Sequence, residues 1–241
     1  MIETLLSFMA YVGGIISFGI LGILVLVVSV LYPPLYFPAC KKACQIILFC
    51  AGAKVDMPHP FPKVGGPFIL MFNHTSFIEV FLLPAIIEGN FSAVTKEENG
   101  RVPLFGLIIK QLRVVFIDRS SKRKAIESVN SAKEKIDSGY HLIYSPEGTR
   151  SLSGQLYPLK KGGFHLAIGC KAPILVIGFE GAYQYKPKNR WRIRPGVIKV
   201  RYSDPIPTEG YSSDNLAELK DLVESELKRL SGQSSDLAIS L

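Results

Sequence analysis

The chain has 241 residues, 48% of them hydrophobic, and a formal net charge of +8 at pH 7. Its mean hydropathy of +0.25 comes from apolar residues concentrated before about residue 55, which excludes an evenly soluble domain and points to a membrane segment preceding a globular part. A pI near 9.3 attracts anions, but the cations are scattered without an aromatic-rich basic motif, so nucleic acid is not an expected partner.

From Leu5 to Leu31 no charged residue appears, and Ile15–Leu31 is long enough to cross a hydrocarbon layer of about 30 Å. A signal peptide fits poorly: Glu3 is the early charge, no basic segment precedes the apolar run, and no small-residue cleavage site comes after it. Pro33, Pro34 and Pro38 break the helix, and Ala39–Ala51 resumes an apolar helix carrying Lys41 and Lys42. With Lys54 and Lys63, these cations place the C-terminal side of the first helix in the cytoplasm. The first helix spans, or the pair forms a hairpin in one leaflet. Cys40, Cys44, Cys50 and Cys170 complete no zinc pattern with histidine, so no metal is expected. They read as buried or lipid-facing thiols in a reducing compartment.

A proline-rich linker, 57–62, leads into alternating elements. Pro67–Asn73 is a continuous apolar run, as in a buried strand. Then come a helix over Phe77–Glu88, a strand over Phe91–Val94, a short helix over Leu104–Gln111 and a strand over Val114–Ile117. An amphipathic helix over Lys122–Asp137 carries Ala125, Val129, Ala132 and Ile136 on one face and ends at Gly139. Next are a strand over His141–Tyr144, a helix over Lys161–Lys171 and a buried strand over Pro173–Phe179. Trp191–Arg194 and Val197–Tyr202 read as a hairpin, and Asn215–Leu230 as a closing helix. The fold class is therefore α/β: a central, mostly parallel or mixed sheet flanked by helices, preceded by an N-terminal hydrophobic two-helix module. The division is 1–60 for anchoring helices and linker, 61–231 for the catalytic domain and 232–241 for a flexible tail.

Several segments at strand ends carry chemistry, where sites of open α/β sheets lie. In Asn73-His74-Thr75-Ser76-Phe77-Ile78-Glu79, a carboxylate at Glu79 can accept the Nδ1–H of His74, which fixes the tautomer and leaves Nε2 to take a proton. In Tyr144-Ser145-Pro146-Glu147-Gly148-Thr149-Arg150-Ser151, glycine permits close backbone approach. Arg150 can grip a phosphate bidentately, and Thr149 can hydrogen-bond a phosphate or glycerol oxygen. Val115-Phe116-Ile117-Asp118-Arg119 ends a strand in an acid and a base, and Ala172–Ile177 is an apolar strand. No Gly-x-Ser-x-Gly elbow is present, which counts against a serine hydrolase.

These blocks, in this order and spacing, resemble those of the PlsC-type glycerolipid acyltransferases, whose first block is Asn-His-x-x-x-x-Asp and whose third is (Phe)-Pro-Glu-Gly-Thr-Arg. The likeness runs from about Val64 to Pro207 and includes Lys96-Glu97-Glu98 before Val102-Pro103-Leu104-Phe105-Gly106, and Lys160-Lys161-Gly162-Gly163. It implies that His74 is the general base for an acceptor hydroxyl. It also implies that Arg119, Glu147, Gly148, Thr149 and Arg150 contact the glycerol-phosphate part, with Lys96 a further phosphate contact. The family uses no resident cofactor; acyl-CoA or acyl-carrier protein is the co-substrate and a lyso-phospholipid from the bilayer the acceptor. The expected reaction is acylation of the sn-2 hydroxyl of lysophosphatidic acid to phosphatidic acid, on the cytoplasmic face of a bacterial inner membrane. Another lyso-lipid or glycerol-3-phosphate is the alternative acceptor, and an inactive lipid-binding membrane protein the alternative from another class. The chain departs from the pattern at Glu79, one methylene longer than the family's Asp.

Overall fold

The computed structural model describes residues 2–117 and 122–233. Helix α1 spans Ile2–Leu31 and α2 Tyr36–Cys50, joined by a tight 3-10 turn at Pro33–Leu35 where the prolines remove helical donors. The other elements are β1 (Ala53–Asp56), β2 (Ile69–Phe72), α3 (Glu79–Ile86), β3 (Phe91–Lys96), α4 (Phe105–Gln111), β4 (Val115–Ile117), α5 (Lys122–Asp137), β5 (His141–Tyr144), α6 (Gly162–Cys170), β6 (Ile174–Glu180), α7 (Ala182–Tyr185), β7 (Gly196–Tyr202) and α8 (Leu216–Leu230).

The strands form one seven-stranded sheet in the order β1-β7-β6-β2-β5-β3-β4. Every neighbouring pair is parallel except β6–β7, so the sheet is mixed and mostly parallel, as the sequence implies. Side chains alternate across it. Leu70, Phe72, Leu175 and Ile177 face a core shared with α2 and α3, while Ile69, Met71, Ile174 and Val176 face one shared with α6 and α8. Both faces are covered, which is why β2 and β6 read as unbroken apolar runs. On α5, Ala132 and Ile136 join the second core; Ala125 and Val129 lie outside the described side chains.

Two elements differ from the sequence expectation. Ala53–Asp56, assigned to the anchoring segment, is a strand at the sheet edge, paired in parallel with β7. Residues 191–194 form no hairpin with β7. Their polar groups go elsewhere: Ile193 O accepts from Ser7 Oγ of α1 at 2.7 Å, and Arg194 N–H donates to Tyr185 O at 2.8 Å. The tail beyond Gln233 and the strand-end pair Asp118–Arg119 lie outside the described residues.

Gly178 of β6 runs against the end of α8, and a Cβ there would collide with the Leu230 backbone and Cβ. Gly178→Ala is therefore expected to cost about 1–3 kcal/mol through overpacking. A thermal melt in detergent should record this as roughly 2–4 °C of lost midpoint per kcal/mol; an unchanged midpoint would mean that α8 yields freely.

Helix α1 is long and apolar enough to cross a membrane by length and composition, and only 17% of its most apolar window is buried. One stripe nevertheless packs on the domain. Phe18 meets the Phe81 ring edge-on, and Gly22 lies against Leu104 and Ile108.

Candidate active site

The site sits where β2 ends. Asn73 closes the strand with both amide groups: Nδ2 donates to Phe179 O at 3.0 Å, and Oδ1 accepts from Phe179 N–H at 2.7 Å. This pins the chain to β6 just before His74. Glu79 opens α3 and reaches back over the turn. Its Oε1 accepts from the N–H of Thr75 at 2.9 Å and of Ser76 at 2.8 Å, and from Thr75 Oγ1 at 3.1 Å. The Glu79 carboxylate thus ties the Thr75–Ser76 turn to the first residue of α3. The other oxygen, Oε2, lies 2.5 Å from His74 Nδ1.

Glu79 is 1% exposed, so four donors fix a buried carboxylate, and that carboxylate sets the imidazole. Because it accepts at Nδ1, Nε2 is the nitrogen left for chemistry. The ring stands on edge against Phe72, with a centroid separation of 5.5 Å. The extra methylene of Glu does not prevent the contact.

The second motif holds the same histidine by its backbone. Glu147 Oε1 accepts His74 N–H at 2.6 Å, and Ser151 N–H donates to His74 O at 2.7 Å. The other Glu147 oxygen accepts Tyr157 N–H at 2.8 Å. Glu147 is 1% exposed and both its oxygens are engaged, so it does not stand where a ligand would meet it, contrary to the contact expected from the resemblance. Burial pushes its carboxyl up to about 7, against the pull of the two amide donors. Gly148 takes a left-handed φ of 68° immediately after it.

Two cavities meet at His74. A polar one of about 510 Å³ is lined by Lys96, Arg150 and Lys188, by the carboxylates of Glu97 and Glu98, and by Gly148 and Thr149. An apolar one of about 330 Å³ runs between Phe18, Gly22 and Val25 of α1, Phe81 of α3, and Phe105 and Ile108 of α4. His74, Ser145 and Arg150 line both. Of the residues expected from the sequence, His74, Glu79, Lys96, Gly148, Thr149 and Arg150 come together; Arg119 lies outside the described residues. Among the described residues, no three His, Cys, Asp or Glu side chains gather as a metal site requires.

Lys188 belongs to none of the sequence motifs. It comes to the site because Pro187 bridges to Ser76, whose hydroxyl donates to Lys186 O at 2.8 Å. Burial, and then the charge of Arg150, hold the Lys186 amine below its usual range. The signal available was the alternating basic run from Lys186 to Arg194.

Residues 53–180 match the family model described as Acyltransferase. A 1-acyl-sn-glycerol-3-phosphate acyltransferase of Cocos nucifera is 35% identical over 149 residues, covering 61% of this chain and 48% of the relative. The 1-acyl-sn-glycerol-3-phosphate acyltransferase alpha of Homo sapiens is 29% identical over 180 residues, covering 73% and 63%. The crystal structure of the 1-acyl-sn-glycerophosphate (LPA) acyltransferase PlsC from Thermotoga maritima is similar with a TM-score of 0.83 at 26% identity, covering 99% of this chain and 97% of that one. The chain thus spans about half to two thirds of the length of these curated relatives and nearly all of that structure.

Proposed function

We propose, from the premise that this chain belongs to the acyltransferase family, that it moves a fatty acyl group from acyl-CoA or acyl-carrier protein to the sn-2 hydroxyl of lysophosphatidic acid, giving phosphatidic acid. The observation that carries this reading is the junction itself: an apolar cavity and a polar one, in which Lys96, Arg150 and Lys188 outnumber Glu97 and Glu98, meet at a histidine whose second nitrogen is held by a buried carboxylate. An acyl chain suits the first cavity and a phosphate monoester the second.

His74 Nε2 takes the proton of the acceptor hydroxyl as its oxygen attacks the thioester carbonyl. The tetrahedral intermediate collapses, the C–S bond breaks, and the departing thiolate takes that proton from the imidazolium. A thiolate leaves readily, so neither an enzyme nucleophile nor a resident cofactor is needed. Glu79 orients the ring and stabilises its charged form. Arg150 binds the acceptor phosphate as a fork, Lys96 and Lys188 as point charges, and Thr149 and the Gly148 backbone offer further donors. Arg119 is assigned to the same phosphate through the family pattern. Glu147 is a positioning residue, holding the backbone of His74.

Helices α1 and α2 anchor the enzyme in a membrane, and the sheet with its remaining helices, from β1 onward, is the catalytic part. The cations Lys41, Lys42, Lys54 and Lys63 support a cytoplasmic active face, in this reading that of a bacterial inner membrane.

The test is free-thiol release from acyl-CoA and from acyl-carrier protein in detergent as lysophosphatidic acid is added. Arg150→Gln should raise the acceptor KM by about ten- to a hundredfold with kcat little changed, the loss of one charge-assisted pairing. Release with glycerol-3-phosphate or a neutral lyso-lipid instead would change the acceptor. No release with any of them would sink the enzyme reading and leave a lipid-binding protein.

A further inference from the structure

Between α7 and β7 a cation stands at every second position: Lys186, Lys188, Arg190, Arg192 and Arg194. Among them Trp191, the protein's single tryptophan, is 56% exposed, with the Arg192 guanidinium 5.8 Å from its ring centroid. More than half of this large aromatic is left to the surroundings, with cations on both sides of it in sequence. Arg190, Trp191, Arg192 and Arg194 line an open cleft of about 450 Å³ with Tyr183.

This segment is tied to the start of α1. Ser7 Oγ donates to Ile193 O at 2.7 Å, Tyr11 OH donates to Trp191 O, and Glu3 lies 3.8 Å from both Arg192 and Arg194. The same stretch of α1 presents Ile2, Leu5, Phe8 and Met9 to the outside, with Ile2 74% and Phe8 63% exposed. Apolar side chains, an amphipathic ring and a row of cations therefore share one surface. At a bilayer these want acyl chains, the interface and anionic head groups respectively.

We propose that residues 186–194 form a docking surface for the head groups of anionic phospholipids. It seats the exposed face of α1 in the leaflet and turns the polar cavity toward the membrane. The link to the site is short: Pro187 forms a β-bridge with Ser76, two residues from His74, and Lys188 lines the polar cavity. A free nucleotide or an acidic carrier protein would also meet the charge, but neither would use the exposed apolar face beside it. Docking of this kind does not depend on acyl transfer at His74.

Trp191 makes the test direct. In nonionic micelles doped with phosphatidylglycerol, its emission should shift to the blue and be quenched by brominated phosphatidylglycerol, and salt at about 0.5 M, which shortens screening to a few ångströms, should reverse both. Neutral phosphatidylcholine should do neither. The variant carrying Arg190→Gln, Arg192→Gln and Arg194→Gln keeps the tryptophan and should lose the response, each arginine contributing about fivefold to binding. An equal response to neutral lipid, or an undiminished response in the folded triple variant, would overturn the proposal. Emission that answers to CoA or carrier protein and not to lipid would overturn it in favour of donor docking. The salt titration on the unmodified protein stands even where the variant fails to fold.

Discussion

Acceptor-dependent thiol release falls by about 10²–10⁴-fold when His74 becomes alanine, the range that a positioned general base contributes. The fold should survive the change. The His74 side chain is 23% exposed, and its removal leaves Glu79 with the donors Thr75 N, Ser76 N and Thr75 Oγ1. The melting midpoint therefore moves little while kcat collapses, and an alanine enzyme that keeps a tenth of the wild-type kcat would remove His74 from its role. Glu79→Asp probes the same pairing in the same assay. The carboxylate here spans from the Ser76 amide to Nδ1, and a side chain one methylene shorter cannot hold both ends without moving the turn. A fall in kcat of about 10–100-fold at constant acceptor KM is the signature of lost orientation. An aspartate enzyme of equal rate would show that the backbone absorbs the difference.

The legible parts of this molecule share a physical cause. Strands β2 and β6 are buried on both faces, so their sequences are uninterrupted apolar runs that no helix of that length would need. The stripe on α8 reads cleanly because a single face, Leu216, Leu219, Val223 and Leu227, enters the core. β1 is hard to read because it is an edge strand of four residues, Ala-Lys-Val-Asp, whose partner β7 lies far along the chain. Residues 191–194 resemble half a hairpin because alternation is also what an extended segment tied to a helix produces; α1, remote in sequence, takes the hydrogen bond.

The same division holds in the site. The His74–Glu79 pairing is local, five residues across a turn, and local spacing can suggest it. Glu147 sits in a polar, glycine-containing turn where a carboxylate next to Arg150 suggests a ligand contact or a surface ion pair. Its engagement with His74 N–H joins residues 73 apart, and only the packing of β5 beside β2 brings them together. Lys188 reaches the cavity for a comparable reason, through a bridge to Ser76 on another element. Each long-range residue depends on sheet order, which periodicity does not carry.

Glu147 is where this non-local wiring should be most costly to cut. Glu147→Ala strands the buried N–H groups of His74 and Tyr157 at about 1–3 kcal/mol each, so an unfolding free energy lower by about 2–6 kcal/mol is expected. Because the anchored backbone is that of the base, kcat should fall in whatever fraction stays folded while the acceptor KM holds. A residue contacting the acceptor would give the opposite split. Glutamine supplies the finer test. Its carbonyl can still accept from one amide, but it cannot ionise. Burial raises the folded carboxyl to about 7, above its value in the unfolded chain, so the folded protein binds the proton more tightly. The stability from this group is then fully present below about pH 4.5 and is lost as pH rises through 7, by about 3 kcal/mol at 1.36 kcal/mol per unit. Denaturant unfolding measured across pH 4.5–8 should show wild type losing stability relative to Glu147→Gln as pH increases. A difference that grows in the opposite sense would mean that the two amide donors outweigh burial, making Glu147 a permanently charged clamp on the catalytic histidine.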